Sequence, residues 1–251
     1  MRFYIIASGS KGNATLLEHD GRVLLIDMGI TLTRLKNELE SIGHNIADIE
    51  AVLFTHEHSD HASGARFFNE EIMYATEGTL GGKKHHILQP YEKINIIGLD
   101  VTPLATSHDA FAPIGFLFEN TIERLVYMTD TGYISEKNLE VMRNADYYII
   151  ESNHNIKMLL QTNRPADLKQ RILSDFGHLS NEDSALYMSE LIGDKTKEVV
   201  LAHISEEANN SEIALSTYLR ILRKRFIDVD RVYIHCAKQW MTIQGGQTHE
   251  N

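Results

Sequence analysis

Between Thr55 and His61 the chain reads T-H-E-H-S-D-H, with three histidines and two acidic residues directly after the apolar run Ala51-Val52-Leu53-Phe54. A strand that ends in a tight loop aims alternate side chains into one pocket, so His56 and His58 can point the same way. Asp60 and His61 then come from the following turn. Imidazole nitrogen and carboxylate oxygen suit zinc, manganese or iron. One ion takes about four ligands, so this stretch can supply half-shells for two adjacent ions. A polar loop that merely happens to hold histidines fits less well, because the cluster sits so densely against a buried strand.

The surrounding chain must place that loop. Arg2 to Ala7 and Thr15 to Glu18 read as strands joined by Ser8-Gly9-Ser10-Lys11-Gly12-Asn13. Gly9, Gly12 and Asn13 permit positive φ, so backbone N–H groups there could cradle an anion, with Ser10 and Asn13 as candidate substrate contacts. A plain β-turn fits the same residues. Asp20-Gly21 signals a hairpin into the strand Arg22 to Asp27. Leu32, Leu35, Leu39 and Ile42 recur at helical spacing, and Gly43 closes that helix. A helix is expected from about Ala62 to Phe68 after the histidine loop. The stretch Ile72 to Leu104 is irregular.

Pro113 to Glu119 and Arg124 to Thr129 read as a hairpin, followed by a helix over Glu136 to Arg143 and a strand over Tyr147 to Ile150. Pro165 starts a helix expected to reach Phe176, Gly177-His178 breaks it, and Asn181 can cap the next one. Strand Glu198 to Ala202, helix Ser211 to Arg225 and strand Arg231 to Ile234 complete the pattern. Two β-rich segments with flanking helices imply an α/β fold, a four-layer αββα sandwich, as one domain over residues 1–251.

Length and composition agree with this. The 251 residues are 43% hydrophobic and 24% charged, which fits a globular protein with a sizeable core. The apolar N-terminal stretch is too short for a signal peptide and no run approaches membrane-spanning length. A cytoplasmic enzyme with no membrane association and no obligate protein partner is expected. The lone Cys236 excludes an internal disulfide framework and reads as packing. A formal net charge of −11 is unfavourable for a nucleic-acid binder that relies on phosphate contacts alone. Lys83-Lys84 and Arg223-Lys224-Arg225 could steer an anionic substrate, or serve as solvated faces.

H-x-H-x-D-H after a strand resembles the metallo-β-lactamase superfamily, and the resemblance runs nearly the whole length. It implies an Asp at the end of an early strand (Asp27), a later strand-end His (His108), a bridging Asp in Thr129-Asp130-Thr131-Gly132 and a last His in Leu201-Ala202-His203. The ligand set so implied is His56, His58 and His108 for one metal and Asp60, His61 and His203 for the other, with Asp130 shared. Two such ions clamp a bridging hydroxide and lower the pKa of its parent water towards ~7. Asp60 and Asp130 therefore count as catalytic as well as ligating. Asp27 belongs behind the ligands, orienting a histidine. The nitrogen-rich shell favours zinc, with manganese or iron compatible. Tyr133 either donates to a developing oxyanion or packs over the loop, and His154 either reaches the site or fills the core. His19, His44, His85, His86, His235 and His249 have no partners in sequence.

Ser8-Gly9-Ser10-Lys11-Gly12-Asn13, Thr106-Ser107-His108-Asp109-Ala110, Glu151-Ser152-Asn153-His154, Gly177-His178-Leu179-Ser180-Asn181 and His203-Ile204-Ser205 with Asn209-Asn210 narrow the likeness. Together they resemble the YycJ (WalJ) family, which implies five-prime-to-three-prime exonuclease action on DNA. Only 72 residues separate Asp130 from His203, so no β-CASP insertion is present, nor any long arm of the tRNA-processing type. From the phosphodiesterases of the superfamily, Glu151 and His178 take the roles of a proton-donating pair. Otherwise His178 caps the helix near Asn181. The alternatives are a lactonase or other carbonyl-ester hydrolase, in which Tyr133 polarises the carbonyl and His178 is not required, and a metal-loaded protein without catalysis.

Overall fold

A computed structural model describes residues 1–246. Its first half comprises β1 (Arg2–Ala7), β2 (Ala14–His19), β3 (Arg22–Ile26), α1 (Leu32–Ser41), β4 (Ile49–Leu53), α2 (Ser59–Ala62), β5 (Met73–Ala75) and β6 (His86–Ile87). The second half begins with β7 (Ile94–Ile96), β8 (Leu99–Ala105), β9 (Ile114–Glu119), β10 (Arg124–Met128), α3 (Glu136–Met142) and β11 (Tyr147–Glu151). It continues through α4 (Ile156–Gln161), α5 (Ala166–Ile172), α6 (Asn181–Leu191), β12 (Glu198–Ala202), α7 (Ser211–Lys224), β13 (Tyr233–Cys236) and β14 (Ile243–Gly245). Two seven-stranded sheets result, ordered β14-β1-β2-β3-β4-β5-β6 and β13-β12-β11-β10-β9-β8-β7. His249 lies outside the described residues.

The side-chain period of two decides the layering. In β10, Leu125 and Tyr127 enter the core between the sheets, while Val126 and Met128 face the outer helices. In β3, Leu24 and Ile26 point between the sheets, and Val23 and Leu25 pack with Leu35 and Leu39 of α1. Strands covered on both faces must be apolar at every position, which is why they read as unbroken hydrophobic runs. The layers are helix, sheet, sheet, helix: an α/β sandwich of the metallo-β-lactamase type.

Local differences from the sequence reading have identifiable causes. The helix after the histidine loop is Ser59–Ala62, followed by a 3₁₀ turn at Ala65–Phe67, rather than one helix over 62–68. Met28 interrupts it, its carbonyl accepting from Gly64 N at 2.8 Å. The helix from Pro165 stops at Ile172, four residues early, because Gly177 and His178 fold back on it and His178 N donates to Ile172 O at 3.0 Å. Ser180, not Asn181, caps α6, its Oγ accepting from Asp183 N. Asn181 is buried in side-chain bonds to Ser152 and Asn209. The chain's return as β14 beside β1, and α4, were not anticipated.

Gly29 shows how tightly the site loops are stitched. Gly29 N donates to Asn13 O at 2.9 Å, Asn13 N to Asp60 O at 2.8 Å and Met28 N to His61 O at 2.7 Å. A Cβ on Gly29 would lie 1.6 Å from the Asp60 carbonyl oxygen. Gly29→Ala is therefore expected to cost ~1–3 kcal/mol or more by overpacking, read as a lower urea midpoint. An unchanged midpoint would show that these loops are free to separate.

Candidate metal centre

The site gathers where β3, β4, β10, β11 and β12 run out at their carboxyl ends, the usual place for a ligand in sheets with parallel strands. Three of its residues, Asp27 (φ 60°), Asp130 (φ 56°) and His203 (φ 53°), adopt left-handed backbone just past β3, β10 and β12. Such a conformation costs ~1–3 kcal/mol for a non-glycine residue and turns the side chain sharply out of the strand direction. Asp27 N is held by Leu53 O at 2.8 Å, and His203 N by Ser8 Oγ at 2.8 Å.

Four histidines are each gripped at Nδ1, which leaves Nε2 aimed into the centre. His61 Nδ1 lies 2.7 Å from Asp27 Oδ2, His56 Nδ1 3.0 Å from Thr55 Oγ1, His108 Nδ1 3.1 Å from Gly177 O and His203 Nδ1 3.1 Å from Glu151 Oε1. His58 turns the other way, its Nδ1 3.1 Å from His56 Nε2. A hydrogen-bonded far nitrogen that fixes the orientation of an inward one is how metal-binding imidazoles are held. Asp130 faces them, with carboxylate oxygens 3.4 Å from His61 Nε2, 3.5 Å from His203 Nε2 and 3.9 Å from His108 Nε2. Ligand atoms of His56, His58 and His108 lie within 4.8 Å of one another, as do those of Asp60, His61 and His203, those of His56, His61 and Asp130, and those of Asp130, Glu151, His178 and His203.

The electrostatics favour a cation. Burial opposes charge on His61, but Asp130, Asp27 and Asp60 outweigh it and raise its pKa to about 10. Burial likewise opposes charge on Asp130, yet the facing His203, His61, His56 and His178 hold its pKa well below the carboxylate range. His56, buried beside that charged His61, is pushed far down. Asp130 Oδ2 and His203 Nε2 are buried with no hydrogen-bond partner among the described residues. Buried acceptors that point inward without donors fit coordination, and their nitrogen and oxygen chemistry fits a divalent transition metal.

Beside this cluster, His178 Nδ1 donates to Glu151 Oε1 at 2.8 Å. Glu151 is fully buried and also accepts from Thr131 N at 3.0 Å and Leu179 N at 3.1 Å. Burial works against its charge, but His178 and His203 prevail and lower its pKa to about 2. His178 in turn is raised to about 9 against burial, chiefly by Glu151 and then by Asp130. Glu151 thus spans the pair, holding His203 in the donor cluster and His178 next to it.

The remaining sequence candidates divide. Asn13 is buried, and its Nδ2 donates to Gly9 O at 3.1 Å and sits 3.0 Å from His61 Nε2. Its loop cannot cradle an anion through the backbone as envisaged. Gly9 N is taken by Asn13 Oδ1, Gly12 N by Gly9 O, Lys11 N by Gln239 Oε1 and Asn13 N by Asp60 O. Ser10 is exposed at the tip of that loop and Tyr133 is 42% exposed. His154 is buried with both ring nitrogens unpartnered among the described residues, outside the donor groups.

Sequence reading overlooked Thr55, whose Oγ1 contacts both Asp27 oxygens, His56 and His61. It also overlooked Asn153, whose Nδ2 donates to His203 O at 2.9 Å, and Ser8. Thr55 opens the histidine motif, so its position was the available signal. An open cavity of about 1140 Å³, lined by Arg2, Glu18, Asp20 and Asn120, lies at the opposite ends of the strands and takes no part in the site.

The chain matches the beta-lactamase superfamily domain over residues 22–204. It is 37% identical over 243 residues to the exodeoxyribonuclease WalJ of Streptococcus pneumoniae, covering 91% of this chain and 90% of that one. To the exodeoxyribonuclease YycJ of Bacillus anthracis it is 34% identical over 247 residues, covering 93% of each. Among solved structures, the metallo-β-lactamase fold protein YhfI of Bacillus subtilis superposes with a TM-score of 0.68 at 19% identity, over 97% of this chain and 99% of the other. The chain belongs to the metallo-β-lactamase superfamily, in the branch that holds WalJ and YycJ.

Proposed function

We propose that the protein is a metal-dependent phosphodiester hydrolase, a five-prime-to-three-prime exonuclease acting on DNA. The observation that carries this reading is the pair formed by buried Glu151 and partly exposed His178, set against the donor cluster. A charged imidazole beside a hydrolytic centre suits a leaving group that needs a proton, and the sugar oxygen of a phosphodiester is such a group. The relatives at 34–37% identity, named exodeoxyribonucleases, support the same substrate class.

His56, His58 and His108 would hold one divalent ion and Asp60, His61 and His203 a second, with Asp130 between them; zinc suits the nitrogen-rich set, and manganese or iron would fit. Ions held there supply the Lewis acidity that makes water a nucleophile at neutral pH and offset phosphate charge. Asp27 and Thr55 keep His61 and His56 oriented, and Asn13 braces the motif turn from the other side. As the water oxygen bonds to phosphorus and gives up a proton to solvent, the bond to the sugar oxygen breaks, and His178 passes its proton to that oxygen and is reprotonated from solvent. Glu151 stabilises the charged imidazole beforehand and keeps its Nδ1 occupied, so that Nε2 is the donor. Among the described residues no helix is long and apolar enough to cross a membrane, and a cytoplasmic setting fits a nuclease of this kind.

Metal-loaded protein should shorten end-labelled DNA from the five-prime end and leave a lactone panel untouched. With a net charge of −11, the affinity for DNA should fall only modestly with salt, because few phosphates are neutralised by side chains. Rapid lactone opening with every phosphodiester intact would establish the carbonyl-hydrolase alternative, with Tyr133 as the polarising group.

A further inference from the structure

We infer that Phe111, Tyr133 and Phe176 form an aromatic rim that stacks against unpaired bases of the strand whose phosphodiester enters the metal centre. This rests on the nuclease reading and adds to it how the substrate is gripped. Phe111 is 77% exposed, Phe176 62% and Tyr133 42%. Singly exposed aromatics are ordinary, and Phe226 and Tyr233 are exposed on segments that carry no metal-donor residue. The rim residues differ in what carries them. Phe111 follows His108 by three residues, Tyr133 follows Asp130 by three, and Phe176 precedes His178 by two.

Those three loops are sewn into one body. Gly132 N donates to Ser107 O at 2.8 Å, and Ser107 N to Thr131 Oγ1 at 3.1 Å. The Gly177 carbonyl accepts from His108 Nδ1, and Arg171 pairs with Asp109 at 2.6 Å. A Cβ on Gly132 would lie 2.2 Å from the Asp175 carbonyl oxygen, so the Tyr133 and Phe176 loops touch backbone to backbone. Phe111 N donates to Glu57 Oε1 at 2.8 Å, inside the histidine motif, and its ring packs over Gly78. The aromatics are thus held in fixed relation to the donors.

Charge explains why a rim of this chemistry is needed. The net charge is −11, and nearby cations are already committed: Arg171 to Asp109 and Lys11 to Glu206. Phosphate contacts from side-chain cations therefore supply little of the affinity away from the metal centre. Stacking on aromatic faces can, because every base has a π-face and the contact is indifferent to charge and to sequence. A duplex end would have to fray before its bases could reach the rim.

The test measures KM and kcat for wild type, Phe111→Ala, Phe176→Ala and the double variant. Substrates are a single-stranded oligonucleotide, the same strand with abasic residues at its five-prime end, and bis(p-nitrophenyl) phosphate. Each lost stack should raise oligonucleotide KM by roughly 5- to 150-fold, with kcat much less affected. The abasic strand should already pay this penalty with wild type and no more with the double variant. Quenching of a terminal 2-aminopurine in a phosphorothioate strand should weaken in the variants and return in Phe176→Trp. If wild type degrades DNA but the variants match its KM on both strands, the rim is not a stacking surface although the nuclease reading stands. Equal losses on bis(p-nitrophenyl) phosphate would also overturn it, by showing that the aromatics act on the centre. If wild type cleaves no oligonucleotide, the nuclease reading itself fails and the rim proposal falls with it.

Discussion

Replacing Asp130 with alanine should drop turnover to background and lower the metal content of protein purified without chelator. The carboxylate faces His61 and His203 of one donor triad at 3.4 and 3.5 Å and His108 of the other at 3.9 Å. Losing a partner behind a ligand typically costs 10–100-fold in metal affinity; losing a shared ligand should cost more, and for both ions together. Asp130→Asn separates shape from charge, since it keeps the volume and one oxygen. It should retain the fold, with an unchanged far-ultraviolet circular dichroism spectrum, and still lose metal. Elemental analysis of the wild type should return between one and two equivalents. Full metal and full activity in Asp130→Ala would remove the binuclear assignment.

His178→Ala should lose about 10²–10⁴-fold on DNA, the usual worth of a general acid, while keeping its metal. His178 is in neither triad assigned to an ion, though it lies within 4.8 Å of Asp130, Glu151 and His203 donor atoms, whereas Glu151 engages both it and His203 directly. Glu151→Ala is therefore the harsher change, because it leaves His203 without its orienting partner and Thr131 N and Leu179 N without an acceptor. It should cost metal as well as rate. The distinguishing measurement for His178 is a nitrophenyl phosphodiester, whose leaving group departs without a proton. His178→Ala should lose far less on that substrate than on DNA. Equal losses would make His178 a phosphate-positioning or structural residue, and no loss on either would take it out of the site. Its alternative role as a helix cap is already filled by Ser180.

What the chain determines by itself is the identity and order of the donors and the strands that carry them. T-H-E-H-S-D-H after an apolar run, and Asp27, Asp130 and His203 after others, are local features, because a strand's period of two and its abrupt end are set by neighbouring residues. The doubly covered strands announce a sandwich for the same reason. Tertiary structure decides which atom of each donor faces inward. His61 is turned by Asp27, 34 residues away, His203 by Glu151, 52 away, and the backbone of His203 is pinned by Ser8, 195 away. Such hydrogen bonds join residues brought together only by packing the two sheets, so no local pattern encodes them. The glycine-rich loop at Ser8–Asn13 shows the difference most clearly. Its residue types permit an anion cradle, but its N–H groups are taken by Asn13, Gly9, Gln239 and Asp60, and the last two of these are set beside the loop only by the fold.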